Sequence, residues 1–209
     1  MISAREALER LQEGNRRFVS GHRRGDTLTS QTRRSDLVAG QDPYAIVLGC
    51  SDSRVPAEIV FDEGLGDLFV IRIAGNIVAP SQIGSVEFAA ERFGTALVVV
   101  LGHSRCGAIQ ATLEELMRPR EKQSRNLLSI IDRVRPSVEA LLATELRDDP
   151  DVLVRHAIRA NIRASAHQLR HGSEVLERLI QQNRLLVVGA EYSLETGFVE
   201  FFDGVREAG

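Results

Sequence analysis

Two short stretches decide the fold of this chain, Cys50-Ser51-Asp52-Ser53-Arg54 and, after a gap, His103-Ser104-Arg105-Cys106. Each follows an apolar run that ends in glycine, residues 45–49 in the first case and 96–102 in the second. Apolar runs of this length, bounded by glycine, are typical of buried strands. In an open parallel sheet, ligands bind beyond the carboxyl ends of the strands. The sequence therefore predicts that both stretches meet at one edge of a sheet.

Predicted strands and helices alternate around these stretches. Strands are expected at residues 44–49, 67–72, 95–101 and 185–190, and the main helices at 85–93, 107–117 and 174–182. This alternation indicates a parallel sheet with right-handed crossovers. Residues 197–202 are predicted to return antiparallel at the edge, and Pro136 to kink or split a charged helical stretch. The fold class is α/β, a central mostly parallel β-sheet with an antiparallel edge strand, flanked by helices.

The first 42 residues are predicted to form an N-terminal helix and arm. Ser3 and Glu6 have the spacing of a capping box, and the helix should run to about Gly21. We assign residues 1–42 to the same domain as the α/β unit of residues 43–209, which contains both stretches. An amphipathic first helix has no evident packing surface within one compact domain, so we expect this arm to pack on a partner subunit.

Bulk composition narrows the class of protein. Hydrophobic residues make up 43% of the 209 residues and charged residues 26%, which is ordinary for one globular domain. A net charge of −3 provides no basic field to attract nucleic acid. The start has no signal-peptide pattern, and no apolar run approaches the roughly 18 residues of a membrane span. We expect a cytoplasmic protein that binds neither nucleic acid nor membrane.

Cys50, His103 and Cys106 are the candidate metal ligands. Two thiolates and an imidazole suit tetrahedral zinc, and three protein ligands leave a fourth position for water or substrate. The alternative is a dithiol redox pair, but the two cysteines lack the Cys-X-X-Cys spacing and His103 would have no role. We predict one Zn²⁺ per chain.

Asp52 and Arg54 follow Cys50 closely and could decide whether the fourth position of the zinc ion is open to water. If Asp52 is itself a metal ligand, the centre is closed to water. If Arg54 instead binds Asp52 in a bidentate pair, the position is open and the carboxylate can accept a hydrogen bond from the water. A surface salt bridge is the alternative interpretation of this pair, but its position beside a ligand cysteine within a five-residue turn argues against it. Small or apolar neighbours such as Gly107 and Phe69 indicate a narrow pocket for a small substrate.

Together, these two motifs resemble those of the β-class carbonic anhydrases. The likeness also covers residues 13–18, 51–56, 69–72 and 102–107, and Tyr192. It implies that Cys50, His103 and Cys106 bind zinc and that Asp52 and Arg54 form the catalytic dyad. It also implies that Gln41 reaches the substrate and that Phe69 lines its pocket. Arg72 and Tyr192 match two members of an inhibitory bicarbonate site found in part of that family, although Val47 replaces its tryptophan.

The resemblance implies reversible hydration of carbon dioxide to bicarbonate and a proton. It further implies a homodimer, often paired into a tetramer, with each pocket closed by both chains. Two alternatives remain at this stage. A related hydrolase of carbon disulfide or carbonyl sulfide would use the same ligands, and a non-catalytic zinc protein would keep Asp52 permanently on the metal.

Overall fold

The computed structural model describes residues 2–119 and 124–205, which include a five-stranded sheet. Its strands are β1 (Ala45–Gly49), β2 (Leu68–Arg72), β3 (Leu97–His103), β4 (Leu186–Tyr192) and β5 (Val199–Asp203). Their spatial order is β2-β1-β3-β4-β5, with β1 to β4 parallel and β5 antiparallel to β4. The predicted α/β fold class is confirmed.

Eight α-helices accompany the sheet in the described ranges. They are α1 (Ala4–Ser20), α2 (Gln31–Asp36), α3 (Ala57–Val60), α4 (Pro80–Arg92), α5 (Gly107–Met117), α6 (Arg125–Val138), α7 (Pro150–His171) and α8 (Glu174–Gln181). Helix α6 ends two residues after Pro136, and the chain continues in two short 3₁₀ helices. None of these helices combines the length and the apolar character that crossing a membrane requires.

Helices cover both faces of the sheet, and side chains alternate between those faces along each strand. Ile46 and Val98 belong to the hydrophobic cluster formed with α4 to α8, whereas Val47 and Val99 belong to the cluster that includes α1 and α3. Every residue of β1 and β3 is buried. The two central strands therefore place whatever follows them at a rigid edge.

Helix α1 packs on its own chain. Its capping box is present, with the Ser3 hydroxyl accepting from the Glu6 amide and the Glu6 carboxylate accepting from the Ser3 amide. Its residues Ala7, Leu8 and Leu11 are buried against the sheet. Our argument that α1 lacks a packing surface in its own domain is therefore wrong. The prediction that the arm packs on a partner subunit now rests on the family resemblance alone.

The arm after α1 is held by an acidic loop at residues 61–67, between α3 and β2. The side chains of Asp62 and Glu63 are fully buried there. Arg17 Nε lies 2.6 Å from the Asp62 carboxylate, and Arg24 Nη2 lies 2.8 Å from that of Glu63. Asp62 has a φ of 49°, a left-handed conformation that Asp and Asn tolerate better than most residues. Charge pairing thus fixes the arm against the sheet.

Helix α7 lies very close to β3 and β4. A Cβ added at Gly102 would stand 2.5 Å from Ile162 Cδ1, and one added at Gly189 would stand 2.8 Å from Ile162 Cγ2. The absence of side chains at these two glycines lets Ile162 reach the sheet beside His103.

Candidate metal centre

The three predicted ligands converge at the carboxyl edge of the sheet. Cys50 directly follows β1, His103 is the last residue of β3, and Cys106 is the N-cap of α5. Strands β1 and β3 are neighbours with Gly49 paired to Leu101, so the two motifs end side by side. All three side chains are buried.

The spacing of the ligand atoms fits a tetrahedral metal. The Cys50 and Cys106 sulfurs lie 4.0 Å apart, and the three ligand atoms all lie within 4.8 Å of one another. Two sulfurs at about 2.3 Å from one zinc ion stand about 3.8 Å apart in a tetrahedron, whereas a disulfide requires about 2.05 Å. Both cysteines are free thiols. The arrangement favours the metal over the redox pair.

His103 presents one nitrogen to this group. Its Nδ1 lies 2.9 Å from the Ser104 carbonyl oxygen, which can only accept, so Nδ1 carries the proton. Its Nε2 is buried and has no hydrogen-bond partner in the part of the chain that the structure describes. A buried polar atom without a partner is unusual, and a metal-binding histidine commonly donates its other nitrogen to a carbonyl. Both observations fit Nε2 as a metal ligand.

The ionisable groups of the site shift one another's pKa values. A hydrogen bond from the Cys106 thiol lowers the pKa of Cys50, and the neighbouring Cys50 sulfur together with burial raises the pKa of Cys106. Burial by itself lowers the pKa of His103, but the Cys50 thiolate beside it raises that pKa overall. These shifts favour a thiolate at Cys50 beside a thiol at Cys106, and metal binding would require both sulfurs to give up their protons.

Asp52 is held by Arg54. Arg54 donates from Nε to Oδ1 at 2.9 Å, from Nη2 to Oδ2 at 2.7 Å and from its backbone amide to Oδ1 at 3.0 Å. These bonds keep the pKa of the Asp52 carboxyl well below its usual range. Asp52 Oδ2 lies 3.9 Å from His103 Nε2, so the carboxylate borders the ligand group while Arg54 binds it.

Arg72 binds the backbone of residues 50–52, the first ligand loop, which follows β1. It donates from Nε to the Cys50 carbonyl at 3.1 Å and from Nη2 to the Asp52 carbonyl at 2.7 Å. Tyr192 is buried on β4, paired in register with His103, and its ring centroid lies 6.5 Å from that of Phe18. The assignment of Arg72 and Tyr192 to an inhibitory bicarbonate site stays a prediction.

Residues 103–106, the second ligand loop, are held by contacts that the sequence analysis did not predict. Ser104 Oγ donates to Glu195 at 2.7 Å and accepts from the Leu194 amide at 3.0 Å, while Arg105 Nε lies 2.7 Å from Glu195. These contacts tie the residues between His103 and Cys106 to the turn between β4 and β5. Glu195 stands 91 residues beyond Ser104, and no motif in the sequence marks it.

The predicted substrate residues fall into two groups. Gly107 lies beside Cys106, and a Cβ there would meet no atom within 4 Å, so space is open next to the ligands. Gln41 instead lines a cavity of about 440 Å³ with Gly66 and Phe93, near the amino end of the sheet. Phe69 pairs with Ile46 across β1 and β2. Ile46 stands four residues before Cys50, so Phe69 lies about 13 Å from Cys50 along the strand direction.

One chain therefore assembles only part of the predicted site. Its sheet edge brings together the three ligands, the Asp52–Arg54 pair and Gly107. The other two side chains, Gln41 and Phe69, lie away from that edge.

Comparison with known proteins gives a consistent result. The family model described as "Carbonic anhydrase" matches residues 45–199. "Carbonic anhydrase 2" of Mycobacterium tuberculosis is 36% identical over 203 residues, covering 97% of this chain and 95% of that protein.

Solved structures with a similar fold include β-carbonic anhydrases. The β-carbonic anhydrase CafA of Aspergillus fumigatus is 26% identical, with a TM-score of 0.74 over 96% of this chain and 91% of that one. The Coccomyxa β-carbonic anhydrase, solved in complex with acetazolamide, is 25% identical, with a TM-score of 0.73 over 93% of this chain and 86% of that one.

Proposed function

The chain belongs to the β-class carbonic anhydrases, enzymes of carbon dioxide hydration, and we propose that its Cys50, His103 and Cys106 side chains hold the catalytic zinc ion. The observation that carries this assignment is the buried Nε2 of His103, which has no hydrogen-bond partner among the described residues and lies with the two cysteine sulfurs, all within 4.8 Å. When bound, zinc supplies a Lewis acid that lowers the pKa of water toward neutrality, which makes hydroxide available to attack carbon dioxide.

Asp52 and Arg54 are assigned to orienting the reacting water. Three N–H groups of Arg54 hold the Asp52 carboxylate, so that it does not need a metal to balance its charge. Oδ2 has a further lone pair and borders the ligand group, where it can accept a hydrogen bond from water. This pairing favours a catalytic centre over a zinc protein in which Asp52 permanently fills the fourth position.

Replacing one ligand tests the metal assignment. We expect the wild type to retain about one zinc per chain after dialysis and His103→Asn to lose both the metal and carbon dioxide hydration, because two thiolates alone complete no zinc site. The matched control is His156→Asn, an exposed histidine on α7 that should change neither. A His103→Asn protein that keeps stoichiometric zinc would contradict the assignment.

Replacing Arg54 tests the dyad separately. Arg54→Ala should abolish turnover while zinc stoichiometry stays nearly intact, because Arg54 bonds Asp52 and none of Cys50, His103 and Cys106. Loss of zinc in this variant would mean that Arg54 only supports the fold of the loop.

We further propose a homodimer or tetramer in which the partner completes each pocket with Gln41 and Phe69. Two observations support it. Both residues lie away from the ligands of their own chain, and Phe88, beside Phe69, is 53% exposed although its ring also packs on that of Phe93. An exposed aromatic cluster of this kind is common at interfaces between subunits.

Mixing two inactive variants tests shared sites. If Arg54 and Gln41 of one site come from different chains, co-refolded Arg54→Ala and Gln41→Ala subunits form mixed dimers with one intact site each. Random pairing in a two-fold dimer then restores about a quarter of wild-type activity. If both residues serve the same site from one chain, mixing restores nothing.

The proposed location is the cytoplasm, where a reducing environment keeps ligand thiols free. Fractionation of the native cells with an antibody against the protein tests this, and recovery outside the cytoplasmic fraction would contradict it.

A further inference from the structure

A tight turn at residues 74–76 delivers a hydrogen bond to the Cys50 sulfur. The turn follows β2, and both Gly75 and Asn76 are left-handed, with φ of 70° and 43°. The Gly75 amide points at Cys50 Sγ, 3.4 Å away. A left-handed asparagine is tolerated but costs some free energy, so a turn of this shape needs support from its surroundings.

That support comes from α7. Asn161 Nδ2 donates to the Gly75 carbonyl at 2.8 Å, and Ser165 Oγ donates to the Asn76 carbonyl at 3.0 Å. Asn161 is 2% exposed and Ser165 is 5% exposed. They stand four residues apart and so share one face of the helix. Two polar side chains on a buried helix face are costly unless they are bonded, and here both bond the same turn.

The geometry links Asn161 to the sulfur through one residue. The N–H that reaches Cys50 and the carbonyl that Asn161 holds lie on the two sides of Gly75, a residue free to adopt many backbone conformations. Fixing the carbonyl fixes the direction of the N–H. Ile162, next to Asn161, fills the space beside Gly102 and Gly189, so moving α7 away from the turn would leave a cavity against the sheet.

We propose that Asn161 is a positioning residue of the metal centre, which aims the Gly75 amide at the Cys50 thiolate through the turn at residues 74–76. The proposal rests on the assignment of Cys50 as a zinc ligand. An N–H bonded to a thiolate withdraws charge from the sulfur. A metal held by Cys50 would then receive less charge from the sulfur and would be the stronger Lewis acid.

Cobalt substitution makes this contact visible apart from activity. A cobalt ion bound by thiolates has a sulfur-to-metal charge-transfer absorption, whose energy falls when the sulfur loses a hydrogen bond. In Asn161→Leu, which keeps the side-chain size and removes the donor, we expect that band to move to longer wavelength. We also expect zinc release to a chelator to be about tenfold or more faster.

A second variant and a matched control separate positioning from general destabilisation. Ser165→Ala removes the other bond to the same turn and leaves only a small gap, so it should shift the band in the same direction by less. Thr95→Val removes an equally buried bond, from Thr95 Oγ1 to the Pro43 carbonyl at 2.8 Å, near the opposite end of the sheet. It should lower stability and leave the band unchanged.

The outcomes are distinct. A band and a release rate in Asn161→Leu and Ser165→Ala that match those of Thr95→Val would overturn the proposal, and if Asn161→Leu does not fold, Ser165→Ala decides alone. A wild-type protein that binds cobalt with no thiolate absorption would overturn the ligand assignment instead.

Discussion

Neutralising Asp62 should weaken the hold of the acidic loop on the arm. Asp62→Asn keeps the size of the side chain and the left-handed backbone that Asn tolerates, so it isolates the charge. One ion pair with about 4 Å between charge centres is worth roughly 4 kcal/mol at an effective dielectric of about 20. Arg17 and Arg24 are 27% and 36% exposed, so they partly recover hydration when the carboxylate is lost. We expect the free energy of unfolding to fall by about 2–3 kcal/mol at pH 7, below the range for breaking a fully buried pair.

The loss should depend on pH with a definite sign. Burial raises the pKa of Asp62, but the hydrogen bonds from Arg17 and Arg24 lower it overall. A lowered folded-state pKa contributes stability above the unfolded value of about 3.9, and that stability is lost as pH falls through the folded-state pKa. The difference between wild type and Asp62→Asn should therefore be constant from pH 7 to about pH 5 and should shrink in stronger acid.

Urea unfolding of zinc-loaded protein, at one protein concentration and several pH values, measures this difference. The matched control is Glu9→Gln, which breaks the exposed Arg5–Glu9 pair and should cost no more than about 0.5 kcal/mol. A loss below about 1 kcal/mol in Asp62→Asn at pH 7, or a difference that grows on acidification, would refute the argument.

Three further predictions concern the sheet edge. Gly102→Ala should lower the free energy of unfolding by about 1–3 kcal/mol, because its methyl group would stand 2.5 Å from Ile162 Cδ1. Chemical denaturation measures it, and a neutral result would mean that α7 moves away easily. Glu195→Gln removes the charge that holds Arg105 and weakens the bond from Ser104, so zinc should pass to a chelator faster while global unfolding changes little. Equal release rates would show that the turn before β5 does not hold the ligand loop. Removing zinc should lower the melting temperature in calorimetry, since a ligand at a thousand times its Kd stabilises by about 4 kcal/mol. An unchanged melting temperature would mean that the ion does not bind the native fold selectively.

The strands were predictable because parallel strands buried on both faces read as continuous apolar runs. Their ends were less predictable. Strand β3 was expected to stop at Leu101 but runs to His103, because Tyr192 of β4 pairs with His103 and extends the ladder. Helix α4 begins at Pro80 rather than Ser85, since proline fits the first turn of a helix whatever the apolar spacing.

Local spacing revealed the candidate ligands but not the residues that support them. Cys50, His103 and Cys106 stand in two short motifs of unusual composition, which can be recognised in one dimension. Asn161 and Glu195 are common polar residues far along the chain, and their roles depend on which carbonyl or hydroxyl the fold brings to them. The packing of α1 was misjudged for a related reason, because an apolar stripe does not tell which surface covers it.

The pairing of His103 with Tyr192 bears on when the protein can first take up its ion during synthesis. All three sulfur and nitrogen donors have been synthesised once residue 106 is made, yet the strand that completes the ladder beside His103 begins only at Leu186. Until β4 emerges, the donors belong to an unfinished scaffold, which we expect to bind the ion weakly. We therefore expect metal uptake to be a late event in biogenesis, one that marks nascent chains whose central ladder has already closed.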